Sequence, residues 1–592
     1  MPTHLETADH IVIAGYFALL TLIGLYFWGR MHHVRDLFAG GRRVPWWLAG
    51  ISFYLTGFSA FSFVAYSEMA YRYGLVALTL AWSAAAAMLV GTIVLATRWQ
   101  RARIISPVEF LEARFNPAIR QVIAWTGIPL KVIDDGLKIY ATGIFVSVGM
   151  GYDLRASVLG SGVVMLLYTF MGGLWAVVVT DYVQFIVLTL GVVVLCPLVF
   201  ARVESVDALF RGLPASFVSA IGAPITPLYV CAFYLLVVLS YNGNWAYAQR
   251  FYSVRNEREA RKAGMLAVAL KIVGPPLFIL PAVAARSLMP ELMVPPNSPQ
   301  YTYAALALRF LPSGLMGLMI AAMFSATMST LSADYNVMAS VVTEDVYRRL
   351  INPGATQRRL VLVGRIATLA FGAATIGIGV LLVTTAQRGL FEVMVTVFGL
   401  FVGPMLLPML AGLVSRRLTW RGAAAGIAAG LVSGLTLFSY KTWWLLGRPG
   451  IDPNWLRYDY EAWTILTNIA VTVGAMTLVT LFEARRSDEQ QRITEFFARL
   501  ARPVRDDVEP SEAAAFSPMT IVAPVTAGTG ALLLIAAVVQ GSGTGQLINL
   551  GGGLAVLALA AGCYWLGRST AATTVREAGG LRRGARSIGR VE

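Results

Sequence analysis

The chain has 592 residues, of which 57% are hydrophobic and only 13% charged, with a mean hydropathy of +0.66. Soluble domains carry roughly 25% charged residues, so a soluble globular protein is excluded and a polytopic membrane protein is indicated. The net charge of +15 does not point to nucleic acid, because the basic residues sit in short loops between apolar segments, where membrane topology accounts for them.

Cys196, Cys231 and Cys563 lie in apolar runs, and His4, His10, His32 and His33 all precede the second apolar segment. Neither a disulfide framework nor a histidine metal centre is implied. The first residues, MPTHLETADH, lack the basic start of a signal peptide, so the first apolar segment is expected to remain as a spanning helix. No Walker A lysine loop, HExxH or dinucleotide-binding pattern occurs, and an enzyme is not expected.

At about 20 residues per span, the chain reads as an all-α bundle of fifteen segments. A leading helix covers 9–29 and is followed by a loop to residue 45. Ten helices then span 46–75, 76–97, 119–150, 155–172, 174–200, 228–248, 263–287, 313–342, 360–385 and 390–412. Two more follow at 419–440 and 461–482, within a 413–482 unit, and two at 518–539 and 546–567, within 518–567. A charged linker, 483–517, is expected to hold an amphipathic helix with Ile493, Phe496, Phe497 and Leu500 on one face. It would lie on the membrane surface or on neighbouring loops. The tail 568–592 is basic, rich in glycine and alanine, and expected to be disordered.

Lysine and arginine mark alternate loops. Arg30, Arg35, Arg42 and Arg43 follow the leading helix, and Arg98, Arg101, Arg103, Arg114 and Arg120 follow the 76–97 segment. Arg250, Arg255, Arg258, Arg261 and Lys262 follow 228–248, and the loops after 342 and 412 are basic again. This alternation predicts an N-terminus outside the cell and a C-terminus in the cytoplasm.

The ten middle helices divide into two similar runs, 46–200 and 228–412. Each run begins with an interrupted helix: TGFSAFS (Thr56 to Ser62) in one and SYNGNW (Ser240 to Trp245) in the other. Glycine-interrupted helices at corresponding positions are the mark of transporters built from inverted repeats. In the 313–342 segment, Ser325, Ser329, Ser332 and Asn336 fall on one helical stripe, with Thr330 beside Ser329. Taken alone, that stripe fits a site for a small hard cation and close helix packing equally well.

Ionisable groups inside spans are functional candidates. Asp181 is a lone carboxylate in VVVTDYVQF. KVIDDGLK offers two i,i+4 pairs, Lys131 with Asp135 and Asp134 with Lys138, which either neutralise one another or turn one member to a central cavity. Glu68 and Arg72 form a third such pair. Asp334, Glu392 and Lys271 have no partner along the sequence.

Several ordered motifs carry a resemblance to a known family. They are AGGRRVPWWLAGIS, PVEFLEARFN, YTFMGGLWAVVVTDYVQ, AQRFYSVRNEREARKA, SATMSTLSA with TEDVY, and GPMLLPMLAGLVSRR. Over about residues 9–440 the chain resembles the sodium:solute symporters, which include proline, sugar and iodide transporters. The resemblance implies a LeuT-like five-plus-five inverted repeat and solute uptake driven by the sodium gradient. It implies a sodium site made by the carbonyls of Leu55, Phe58 and Ala326 and the hydroxyls of Ser329 and Thr330. Some relatives hold a second sodium; Asp181 and Ser332 match its ligands, but Ala333 stands where a further serine is needed. That departure favours one sodium. Positions that are polar in sugar transporters read FSF (Phe61 to Phe63) and LAWSAAAA (Leu80 to Ala87) here, which disfavours sugar. The expected solute site is Ser62, Tyr66, Asp134, Asp135, Lys138, Asn244 and Trp245, for a small organic solute in a monomeric unit within the bilayer. Two alternatives remain: proton coupling through Asp181, and a membrane sensor on the same fold.

Overall fold

The computed structural model describes residues 5–28, 44–104, 106–171, 174–211, 213–295, 297–385, 389–483, 487–503, 519–540 and 543–565. The tail 568–592, the linker beyond residue 503, the GG of the YTFMGGLW motif, and Arg30, Arg35, Arg42 and Arg43 lie outside the described residues. Among the described residues no strand forms, apart from one isolated bridge between Gly222 and Ile225. A helix closes its backbone hydrogen bonds within itself, as a chain in lipid must.

The helices are α1 (Thr7–Trp28), α2 (Trp46–Thr56), α3 (Ala60–Tyr73), α4 (Val76–Val94), α5 (Pro117–Met150) and α6 (Leu154–Met171). There follow α7 (Leu174–Phe200), α8 (Pro227–Gly243), α9 (Trp245–Tyr252), α10 (Glu257–Leu288), α11 (Leu315–Ser340), α12 (Gln357–Thr385) and α13 (Leu390–Val414). The last are α14 (Trp420–Tyr440), α15 (Asp459–Phe482), α16 (Ser487–Ala501), α17 (Met519–Gln540) and α18 (Thr544–Trp565). Each of the fifteen segments read from the sequence contains a helix. Two of them are broken spans. α2 and α3 meet at 54° and α8 and α9 at 52°. Both breaks fall where glycine and polar residues interrupt the apolar run, at Gly57–Ser59 and at Asn244.

Glycine is needed at the first break: a Cβ on Gly57 would stand 2.5 Å from the Tyr247 hydroxyl. At the second break the Asn244 side chain accepts the Ala246 N–H at 2.9 Å and so caps α9, as expected for asparagine before a helix.

α11 is buried along its whole length. Its N-terminus is held by the leading helix, since Asp9 Oδ1 accepts the N–H groups of Gly314 and Gly317 at 2.7 and 2.6 Å. A carboxylate there satisfies orphan donors and complements the helix dipole. At its other end the chain continues through Val341–Ile351 as a wider π-type coil, where Asp345 accepts from Ser106 and Arg120 Nε, each at 2.5 Å.

Three arginines counted as loop charges are not loop residues in this sense. Arg250 lies within α9 and is 1% exposed, Arg114 is fully buried, and Arg120 is 9% exposed. Arg114 ties the end of α13 down by donating to the carbonyls of Gly412, Ser415 and Leu418. Counting basic residues does not separate a solvated arginine from one that caps carbonyls or pairs with a buried carboxylate.

The amphipathic helix of the linker is α16. Ile493, Phe496, Phe497 and Leu500 are buried, with Phe496 stacked on Phe110 and Phe497 under Arg114 and Arg416. The helix rests on neighbouring loops.

Candidate ion and solute site

The α2–α3 break ends the regular helical ladder, so carbonyls there keep lone pairs to spare, although that of Leu55 still takes the Phe58 N–H at 2.8 Å. Those of Leu55 and Phe58 turn towards α11, 3.4 and 3.3 Å from Thr330 Oγ1, and the Ala326 carbonyl lies 3.2 Å from the same atom. One hydroxyl has one proton and satisfies at most one of three acceptors well. Four neutral oxygens facing one another in a buried place suit a small hard cation. Ser329, one residue earlier, donates its hydroxyl to Asp181 Oδ1 at 2.5 Å, keeping its oxygen lone pairs available.

Asp181, on α7, is fully buried. Its second oxygen accepts from Ser52, and Arg250 donates to Ser52 through Nε at 3.0 Å while its Nη2 lies 3.7 Å from Asp181 Oδ2. The sequence reading missed both Ser52 and Arg250. Ser52 stands one turn before Thr56 on α2, and Arg250 ends the AQR motif, but their convergence needs the fold. Ser332 meets Thr169, with 2.8 Å between the hydroxyls. Ser325 bonds the Tyr16 hydroxyl and its own helix at Ala321, both at 2.6 Å. It ties the leading helix to α11.

Next to these oxygens is a cavity of about 140 Å³. Thr330 lines it together with Ser62 and Tyr66 from α3, Lys131, Asp134 and Lys138 from α5, and Asn244 and Trp245 at the second break. Phe61, Phe233, Tyr241, Tyr247 and Phe398 make much of the remaining wall. No residue of the 80–87 stretch lines it. Asp135 does not reach the wall either; it is fully buried and held by Lys138 at 2.8 Å.

The helix charges pair differently from the i,i+4 expectation. Lys138 bonds Asp134 as expected, at 2.8 Å, but Lys131 pairs with Asp334 of α11 at 2.5 Å and not with Asp135. Asp334 also receives Lys138, at 3.1 Å. Tertiary packing brings the Asp334 carboxylate within reach of both lysines, while Asp135, equally buried, is taken by Lys138. Asp134, Asp135 and Asp334 gather oxygens within 4.8 Å of one another. Lys138 Nζ, bonded to all three, fills the position a metal ion would take. Glu392 reaches Arg457 at 3.5 Å.

A model of the sodium:solute symporter family matches residues 37–430. The chain belongs to the sodium:solute symporter family. Membership makes it a sodium-coupled secondary transporter embedded in a membrane. It is 28% identical to a sodium/glucose cotransporter of Vibrio parahaemolyticus over 62% of this chain and 73% of that protein. It is also 28% identical to the human sodium/iodide cotransporter, over 67% of this chain and 65% of that one. The match thus spans just under two thirds of the human relative's own length. The fold is similar to that of a sodium-coupled sialic acid symporter solved in a substrate-bound, outward-open state. That similarity has a TM-score of 0.69 at 21% identity and covers 81% of this chain and 98% of that one.

Proposed function

We propose that this protein carries one sodium ion together with one small organic solute into the cell by alternating access. The observation that carries this reading is the position of Thr330. Its hydroxyl stands among the carbonyls of Leu55, Phe58 and Ala326, and the same residue lines the cavity. An ion there ties α2 to α11 at the wall of the solute chamber, so its binding and the chamber's shape are linked. Sodium is the cargo that drives the cycle; its ligands are Leu55, Phe58, Ala326, Ser329 and Thr330. A second ion at Asp181 and Ser332 would lack a hydroxyl at Ala333, and one sodium per cycle is the reading we favour.

The solute sits between Ser62, Tyr66, Asp134, Lys138, Asn244 and Trp245. Its charged wall and aromatic faces suit an organic ion or zwitterion better than a sugar. Proton coupling through Asp181 is disfavoured, because protonating that carboxylate would leave Arg250 buried without its counter-charge. Basic loops on alternate sides support an N-terminus outside and a C-terminus in the cytoplasm, in a plasma or bacterial inner membrane. The functional unit is a monomer. No enzymatic step is assigned.

The test is a thermal-shift screen of the purified full-length protein against a solute library, with sodium or with potassium. Solutes that raise the melting temperature only with sodium support the reading. Stabilisation that is equal in both salts would overturn the coupling.

A further inference from the structure

Lys271, on α10, is 3% exposed, and no carboxylate pairs with it among the described residues. Its Nζ donates to the Gly57 carbonyl at 2.6 Å, inside the α2–α3 break. The ammonium also lies 4.6 Å from the Phe58 ring centroid and 5.1 Å from that of Tyr54. A buried lysine without a carboxylate is costly unless something stabilises the cation. Here a backbone carbonyl and two aromatic faces do so. The Tyr241 hydroxyl reaches the same carbonyl at 3.5 Å.

Gly57 and Phe58 are consecutive, and the Phe58 carbonyl belongs to the proposed sodium site. The break thus offers one carbonyl to a tethered cation and the next to the transported one.

We propose that Lys271 is a resident cation of the helix break that sets the sodium affinity of the neighbouring site. This inference rests on the sodium site proposed above. The ammonium pins the Gly57 carbonyl, which orders the break before sodium arrives. It also repels the ion from the adjacent peptide unit. Two unit charges on the order of 7 Å apart, at an effective dielectric near 20, oppose each other enough to weaken binding about tenfold or more. A site that must release sodium in every cycle works with such a restraint. A site meant only to hold sodium would not need it.

The experiment titrates sodium against the thermal unfolding of the purified full-length protein, with potassium chloride holding ionic strength constant. It compares the wild type with Lys271→Gln, Lys271→Met and Lys271→Arg. Gln keeps an N–H donor for Gly57 without the charge, Met removes both, and Arg keeps both. The expected result is a half-saturating sodium concentration about tenfold lower in Lys271→Gln and in Lys271→Met, with Lys271→Arg close to wild type. Either neutral variant suffices if the other does not fold. A neutral variant that binds sodium like the wild type, or more weakly, overturns the proposal. A wild type that sodium does not stabilise at all overturns the sodium site itself, and this inference with it.

Discussion

Arg250 and Asp181 form a buried charge pair that meets at Ser52: the arginine donates to the Ser52 hydroxyl, and that hydroxyl is donated on to the carboxylate. The other carboxylate oxygen takes the Ser329 hydroxyl. The pair, on α9 and α7, therefore joins the two broken spans, through α9 and α2, to α11, the helix bearing Ser329 and Thr330. Its local charge is balanced before any ion arrives.

That balance makes a prediction. Asp181→Asn leaves a guanidinium 1% exposed without a counter-charge, and removing one member of a buried pair costs ~3–5 kcal/mol. The double variant Asp181→Asn with Arg250→Gln should recover much of that loss, because both charges go together. A double-variant cycle in chemical or thermal unfolding measures the coupling. Simple additivity would mean that the two charges do not sense each other.

Asp334 is the second hub. It takes Lys131 and Lys138, and its side chain is 1% exposed. Asp334→Asn should lower stability by ~3–5 kcal/mol, whereas Asp134→Asn, at the partly exposed edge of the cluster, should cost less than half as much. Melting temperatures of the two variants decide the order, and an equal loss would contradict it.

Gly127 faces Trp245 so closely that a Cβ would lie 2.5 Å from the indole. Gly127→Leu should push the Trp245 ring into the cavity and abolish sodium-dependent stabilisation by any solute found in the screen. Stabilisation by sodium alone should stay within about twofold of wild type, since no ion ligand moves. A variant that still responds to solute would place the solute elsewhere.

Asp9 caps α11 from the leading helix. Loss of a capping carboxylate costs ~1 kcal/mol, up to about 2, and Asp9→Ala should lose that much stability with sodium affinity unchanged. Unfolding scans with and without sodium check both parts. An unchanged melting temperature would remove the leading helix from the account of how α11 is held.

Much of this was legible in the sequence because lipid simplifies the problem. Apolar runs near 20 residues mark helices, and the glycines and polar residues at Gly57 and Asn244 mark the two breaks that the structure contains. The polar stripe on α11 was visible as a stripe, but only the fold divides its members. Ser325 goes to Tyr16, Ser332 to Thr169, and Ser329 with Thr330 to the proposed ion ligands. Contacts between residues far apart in sequence were not legible. Asp334 lies 203 residues from Lys131, Ser52 lies 129 from Asp181, and Lys271 reaches Gly57 across 214. Helical spacing reports neighbours on one helix, so it paired Lys131 with Asp135 and had no means of finding Asp334. Charge counting placed Arg250 in a loop for a similar reason: it registers where a charge falls, not what it faces.

The most direct measurement is equilibrium binding of radiolabelled sodium to the purified full-length protein and to Thr330→Val. Valine keeps the shape of threonine and deletes the one oxygen on which the carbonyls of Leu55, Phe58 and Ala326 converge. One sodium should bind per wild-type chain, and binding should weaken at least about tenfold in the variant, the effect of losing roughly 1.4 kcal/mol. Unchanged binding in Thr330→Val would contradict it.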